Sequence, residues 1–190
     1  MGKRLFITEK PSVARDFAKA LGVHGTNNDG YLEGDNTIIT WCVGHLITMS
    51  YPEKYNPDLK AWKLETLPFL PKNFKYEVIE SVSKQFDVVK SLIERPDVDH
   101  IYYSGDAARE GEYIQRLVRQ FCQIKPNVEE RRVWIDSQTE EDISRNQADT
   151  LVKFTELFIE QKYSAVVKII SLVLIYQGHI LSNLVDYIVI

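Results

Sequence analysis

The feature that most constrains the fold is an apolar run that leads through a short acidic loop into an amphipathic helix. Residues 100–104 have the character of a short buried strand. From Glu110 to about Gln123, apolar residues recur at helical spacing, which predicts a helix. Asp106 lies at the end of the predicted strand, and Glu110 and Glu112 lie in the first turn of the helix. The pattern is typical of an α/β fold, in which ligands bind at the carboxyl ends of the strands.

Two interpretations of these acids are open at this point. Clustered carboxylates at the edge of an open sheet are hard oxygen ligands for Mg²⁺. Alternatively, Asp106 caps the helix, and Glu110 and Glu112 interact favourably with its dipole. The loop alone gives the two interpretations about equal weight.

The start of the chain repeats the same order of strand, charged loop and helix. Residues 5–8 form a short β-type run, Glu9 and Lys10 follow it, and a helix with apolar positions on one face ends at Gly22. Glu9 is therefore expected at the same sheet edge as Asp106. A lone glutamate would be interpreted as a solvated loop acid, but acids at two strand ends of one edge are a more specific signal.

Further segments complete the predicted α/β architecture. Residues 31–33 and 37–42, separated by a Gly-Asp-Asn turn, predict a β-hairpin. Residues 76–79 and 131–135 are strand candidates, and residues 83–93 have helical periodicity. After the last of these strands, residues 136–141 open another helix, with Thr139 as its N-cap.

An aromatic residue between cations marks a proline-rich stretch, residues 50–75. Lys60, Trp62 and Lys63 have the composition that suits stacking on bases and pairing with phosphates. A tryptophan in a proline-rich loop also often serves packing, so this motif is weak alone. In the preceding Gly-His-Leu motif, His45 is either a structural loop histidine or a phosphate contact.

Bulk properties limit the class of protein. A formal net charge of −4 excludes a chain that is basic throughout, although it allows a local basic groove. Cys42 and Cys122 lie in apolar surroundings without metal-ligand spacing, which predicts buried thiols in a reducing cytoplasm. The first residues do not have the pattern of a signal peptide, so a cytoplasmic location is expected.

Taken together, these motifs resemble the N-terminal part of the type IA DNA topoisomerases, most closely topoisomerase III. The resemblance covers residues 3 to about 145. The matching pieces are LFITEKPSVAR (residues 5–15), TWCVGHL (40–46), Trp62 in its loop, KQF (84–86), the loop through REGE (109–112), and RVW (132–134) with Ser137 and Thr139. In that family this part is a Toprim domain, a Rossmann-like α/β open sheet flanked by helices. The resemblance therefore implies this fold, here with the inserted β-hairpin, and an acidic Mg²⁺ site.

The resemblance also assigns roles to individual residues at the acidic site. Glu9 is the acid beside the scissile phosphate, and Lys10 stabilises the charge of that phosphate. Asp106 is a metal ligand, and Glu110 belongs with Glu9 to the same metal-binding cluster. Arg109 orients the carboxylates. Reversible cleavage of a phosphodiester needs charge stabilisation at the phosphate and a proton donor for the leaving sugar oxygen.

By the same resemblance, three residues belong to the DNA interface. Trp62 is the loop residue that contacts single-stranded DNA, and Arg132 and Ser137 lie near the DNA backbone. Single-stranded DNA and the remaining topoisomerase domains are the expected partners, and no membrane association is expected.

Two departures from the family pattern keep other functions open. The commonest motif has an aspartate where this chain has Ala108, although a subgroup of topoisomerase III-like proteins also lacks it. The family's nucleophilic tyrosine lies in a later domain, beyond this chain, so the chain alone is expected to be inactive. The alternatives are another Toprim enzyme, such as a primase or nuclease, and a non-catalytic DNA-binding remnant.

The last part of the chain, residues 146–190, does not share the resemblance. It becomes strongly apolar from about residue 163, which suits either a helix that begins the next domain or an accidental sequence. One choice of codons for residues 168–185 encodes, in another frame, a string similar to the family's continuation. The predicted division is a Toprim domain at residues 1–145 and an atypical tail at 146–190. The tail is either translated out of frame or the truncated start of the next topoisomerase domain, and the gene's nucleotide sequence decides between these two possibilities.

Overall fold

The fold was analysed in a computed structural model of the chain. The structure describes residues 2–24, 26–61, 63, 66, 69, 71–133 and 143, together with the backbone of residues 151–153.

Most of the described strands form one mixed, largely parallel sheet. The strands are β1 (Lys3–Thr8), β2 (Thr26–Asn28), β3 (Tyr31–Glu33), β4 (Thr37–Trp41), β5 (Ile47–Met49), β6 (Tyr76–Val78), β7 (Val98–Ser104), β8 (Glu129–Val133) and β9 (Leu151–Lys153). Seven of them follow the order β2-β3-β4-β1-β7-β8-β9, while β5 and β6 form a separate antiparallel pair. The four central strands β4, β1, β7 and β8 are parallel. Both edges are antiparallel, through β2 and β3 on one side and β9 on the other.

Helices cover both faces of this sheet. They are α1 (Pro11–Ala20), α2 (Ser83–Ile93) and α3 (Arg109–Gln120). Successive residues of a strand point to opposite faces, and β1 shows this directly. Leu5 and Ile7 pack in the core with α2 and α3, whereas Phe6 packs in the core with α1. The predicted class, an α/β open sheet flanked by helices, is therefore confirmed.

The ends of α1 follow from its sequence. Pro11 is the first helical residue, where its missing N–H group costs nothing. The helix ends at Ala20, and Gly22 follows with a φ of 61°, a left-handed conformation that favours glycine. The predicted hairpin is also present, because β3 and β4 pair antiparallel.

The two cysteine thiols are protected to different degrees. Cys42 is fully buried, and its burial, followed by the charge of Glu9, raises its pKa to about 12. Cys122 is half-buried, and desolvation also raises its pKa to about 12. Because the thiolate is the reactive form, neither thiol is poised for chemistry.

The first compact unit of the chain extends past residue 145. Contacts group Met1–Phe154 into one unit, which includes β9. Residues 154–190 of the tail lie outside the described residues, as do residues 136–141, where another helix was predicted to begin. The division at residue 145 therefore stays a prediction. Within the described part of the chain, no helix has the length and apolar character needed to cross a membrane.

Candidate functional site

The two acids predicted at strand ends lie at the same edge of the sheet. Strands β1 and β7 are parallel neighbours, and Thr8 is paired with Ser104 at their carboxyl ends. Glu9 directly follows β1, and Asp106 follows β7 after a single glycine. The topology therefore brings both carboxylates to the edge at which open α/β sheets bind ligands.

Glu9 and Lys10 form a contrasting pair of charges at this edge. Glu9 is only 8% exposed, and the Nζ atom of Lys10 lies 3.3 Å from its Oε1 atom. The Lys10 side chain is itself 58% exposed. A buried carboxylate is thus held beside a cation that solvent, or an anionic ligand, can reach.

A buried arginine holds the loop that carries Asp106. Arg132 of β8 is 0% exposed, and its guanidinium donates to the backbone carbonyls of Tyr103 at 2.8 Å, Gly105 at 2.9 Å and Asp106 at 2.8 Å. Buried backbone carbonyls are costly to leave unpaired, so these bonds hold the end of β7 and the loop that carries Asp106 in place.

The charge of Arg132 is balanced by Glu112 in the first turn of α3. The Nε atom of Arg132 donates to Glu112 Oε2 at 2.8 Å, and the Nε atom of Arg116 donates to Glu112 Oε1 at 2.7 Å. Burial is the largest influence on the pKa of Arg132 and lowers it, while the hydrogen bond to Glu112 acts in the opposite direction. Both oxygens of Glu112 are therefore engaged by arginines, which makes this glutamate a structural partner of the loop.

The start of α3 does not support the capping interpretation of Asp106. The N-cap position is Ala108, in an extended conformation and without a side-chain hydrogen bond to the helix. Glu110, in the first turn, is exposed, as is Arg109. Ala108, and not Asp106, therefore occupies the N-cap position of α3.

Glycines allow the loop to pack closely on α3. A Cβ atom at Gly111 would lie 2.5 Å from the carbonyl oxygen of Asp106 and 2.7 Å from its backbone nitrogen. Any side chain at Gly111 would thus push the Asp106 backbone away from the helix.

The donor set at this edge suits Mg²⁺ in part. Among the described residues, no three His, Cys, Asp or Glu side chains are gathered closely enough to hold a metal ion together. Mg²⁺ is commonly bound through one or two carboxylates together with phosphate oxygens of a substrate and water. Glu9 and Asp106 match that pattern, whereas the larger set that includes Glu110 stays a prediction.

The predicted DNA contacts have different positions. Trp62 and Ser137 lie outside the described residues, while Lys60 and Lys63 on either side of Trp62 are exposed. Arg132 is fully buried and so has no surface with which to reach a phosphate directly. The family resemblance placed it near the DNA backbone, which stays a prediction; in the structure its guanidinium binds the carbonyls of the acidic loop.

His45 packs against α3. Its ring centroid lies 5.9 Å from that of Tyr113, and the preceding Gly44 has a φ of 82°. The contact favours the structural interpretation of this histidine, as an anchor between its loop and the helix.

Comparison with known proteins agrees with this geometry. Residues 4–137 match the Toprim domain family, and the chain belongs to that family. Over 143 residues it is 46% identical to DNA topoisomerase 3 of Shouchella clausii and 43% identical to DNA topoisomerase 3 of Bacillus subtilis. Each match covers 75% of this chain and 19% of the relative, so the chain spans about a fifth of the length of these relatives. The resemblance to a topoisomerase 3 Toprim domain is confirmed.

A solved structure confirms the fold independently. Full-length topoisomerase I from Thermotoga maritima is similar with a TM-score of 0.50 and 18% identity, over 81% of this chain and 22% of that one. At this identity the likeness concerns the fold alone.

Proposed function

We propose that this chain is the metal-binding, DNA-cleavage half of a topoisomerase 3-like enzyme, which acts on single-stranded DNA together with domains that carry the nucleophilic tyrosine. One observation carries the proposal: Glu9 and Asp106 follow the paired ends of β1 and β7, with the exposed Lys10 beside Glu9. The relatives named DNA topoisomerase 3 support the same conclusion.

Each residue at the edge has a chemical task in this proposal. Glu9 and Asp106 would hold Mg²⁺, which when bound supplies positive charge at the phosphate. Lys10 pairs with the scissile phosphate, because its exposed ammonium group is the cation next to the buried carboxylate. The sugar oxygen that leaves when its bond to phosphorus breaks also takes up a proton, which water at this solvent-accessible edge would supply. Arg109 and Glu110, both exposed, flank the same loop and complete the proposed set.

The first test is the magnesium dependence of DNA binding by the full chain. Asp106→Asn removes a negative charge from the edge while keeping the size of the side chain. We expect the Mg²⁺ concentration for half-maximal binding of a short single-stranded oligonucleotide to rise at least about tenfold, since even indirect partners of a metal ligand have effects of that size. Fluorescence anisotropy of a labelled oligonucleotide measures it.

Asp35→Asn is the matched control for this experiment. Asp35 is exposed and lies in the turn before β4, at the amino ends of the parallel strands, whereas Glu9 and Asp106 lie at the carboxyl ends. It should behave like the parent chain. If Asp106→Asn and Asp35→Asn give the same Mg²⁺ midpoint, Asp106 is not a metal ligand.

The second test concerns the DNA side of the proposal. Trp62, flanked by the exposed Lys60 and Lys63, should stack on a base of the single strand. Trp62→Ala should therefore weaken oligonucleotide binding by about 1–3 kcal/mol. Trp62→Phe, which keeps an aromatic face, should retain most of the affinity; equal affinity of Trp62→Ala and the parent would assign this tryptophan to packing.

A second candidate function is a DNA-binding chain without catalysis. Ala108 in place of a family aspartate favours it, as does the absence of a three-ligand group among the described residues. The two functions differ in one result, because a purely binding chain should hold the oligonucleotide equally well with Mg²⁺ or with a chelator.

A further inference from the structure

We propose that Gln115 is a positioning residue of this site: its buried amide ties the strand end that carries Glu9 to the loop that carries Asp106. The inference rests on the proposed function and extends it to a residue outside the acidic edge. Gln115 lies in α3 and is 0% exposed, among apolar residues of the helix face that packs on the sheet.

The first contact of the amide is with β1. Gln115 Nε2 donates to the backbone carbonyl of Ile7 at 2.8 Å, two residues before Glu9. The next carbonyl, that of Thr8, accepts from the N–H group of Cys42, beyond the end of β4. Successive carbonyls of a strand point to opposite sides, so the Ile7 carbonyl faces β7, from which the Asp106 loop departs. Gln115 therefore binds β1 on the side of the acidic loop.

The second contact of the amide is with the loop itself. A Cβ atom at Gly105 would lie 2.8 Å from Gln115 Nε2 and 3.0 Å from its Cδ atom. The backbone of Gly105, next to Asp106, thus packs closely against the Gln115 amide. Arg132 binds the same loop through the carbonyls of Gly105 and Asp106. Of these two supports, Gln115 is the one that also bonds to the strand carrying Glu9.

The other half of the amide is a cost to stability that an apolar side chain would not carry. Gln115 Oε1 is buried and has no hydrogen-bond partner among the residues that the structure describes. A buried acceptor without a donor is unfavourable, and folded proteins contain few such groups. Methionine would fill a similar volume and remove this acceptor, but it would also take the Nε2 donor away from the Ile7 carbonyl. What the glutamine adds is the bond to β1, made where the amide lies close to the Asp106 loop.

Gln115→Met tests the proposal in the full chain. Loss of the bond to Ile7 is offset by loss of the unpaired acceptor, so the midpoint of chemical denaturation should stay close to that of the parent. The Mg²⁺ concentration for half-maximal oligonucleotide binding should nevertheless rise about tenfold, as expected for a residue that acts through the metal ligands. Gln120→Met, at an exposed position of the same helix, is the control and should change neither quantity.

A second measurement uses neither metal nor DNA. In Gln115→Met, the amide hydrogens of Gly105 and Asp106 should exchange faster than in the parent and in Gln120→Met. A parent whose DNA binding ignores Mg²⁺ would refute the proposed function, and the exchange rates alone would then decide the role of Gln115. Unchanged exchange at these two amides would overturn the proposal, as would a destabilised Gln115→Met chain with an unchanged Mg²⁺ midpoint, which would assign the residue to packing.

Discussion

Replacing Arg132 by methionine is expected to lower the free energy of unfolding by about 3–5 kcal/mol, the range for breaking a buried ion pair from one side. The substitution leaves Glu112 paired with Arg116 and removes the donor from the carbonyls of Tyr103, Gly105 and Asp106. The total free energy of unfolding of a domain of this kind is roughly 5–15 kcal/mol. The loss would therefore take up a large part of its stability, as denaturation with urea would show.

Arg131→Met provides the control for this change. Arg131 is the neighbouring residue of β8, and its ion pair with Glu129 is partly solvent-exposed, with side-chain exposures of 31% and 40%. Such pairs contribute at most about 1 kcal/mol. If the two substitutions lowered stability equally, Arg132 would be an ordinary strand residue, and the loop would have another support.

Gly111→Ala is the second change with a large expected effect. Two opposing contributions determine whether it raises or lowers the free energy of unfolding. Alanine is favoured over glycine inside a helix by about 1 kcal/mol. The new Cβ atom would lie 2.5 Å from the carbonyl oxygen of Asp106, however, and the backbone there must move. Overpacking of this kind typically costs about 1–3 kcal/mol. We expect a net loss of stability and a larger loss of Mg²⁺-dependent oligonucleotide binding.

Gly34→Ala is the matched control. A Cβ atom there would meet the Cγ1 atom of Val23 at 3.1 Å, the end of a side chain that can adjust. Its effect should stay within about 0.5 kcal/mol. A Gly111→Ala chain more stable than the parent, with normal DNA binding, would show that the Asp106 loop does not pack against α3 as described.

Local sequence patterns were sufficient for most of the fold. The helix predicted at residues 83–93 has the same bounds in the structure, because Phe86, Val89 and Leu92 mark one buried face. The hairpin and the central strand were predicted for a similar reason: apolar runs are bounded by turn residues. The strand at the start is longer than predicted, since Lys3 and Arg4 pair with neighbours despite their charge.

Elements stabilised by distant partners could not be predicted in this way. β2 is a polar segment, Thr26–Asn28, without alternation, and it exists because β3 pairs with it. β8 was predicted to begin at Arg131 but begins at Glu129, since the charged Glu130 accepts hydrogen bonds from Arg119 and Tyr103 of other elements. The two charged residues before Arg131 favoured a loop in the sequence, but their ion pairs allow them to belong to the strand.

The residues of the candidate site also differ in whether a local sequence pattern predicts their role. Glu9 and Asp106 were predictable because each follows an apolar strand, and parallel strand ends share an edge. The buried roles of Arg132 and Gln115 were not, because each depends on carbonyl groups far away in sequence. A polar residue beside Ile114 and Leu117 on the apolar face of α3 was the available signal for Gln115.

The central claim is that the edge formed by Glu9 and Asp106 binds a divalent metal ion, and paramagnetic Mn²⁺ tests it most directly. In NMR spectra of the full chain, Mn²⁺ added in place of Mg²⁺ should broaden the amide signals of Glu9, Lys10, Gly105 and Asp106 first. Acids at the opposite, amino ends of the strands provide an internal comparison: Asp97 and Asp99 at the start of β7, and Glu129 at the start of β8. Their amide signals should stay sharp. Broadening that begins at those acids, or that leaves Asp106 unaffected, would contradict the account.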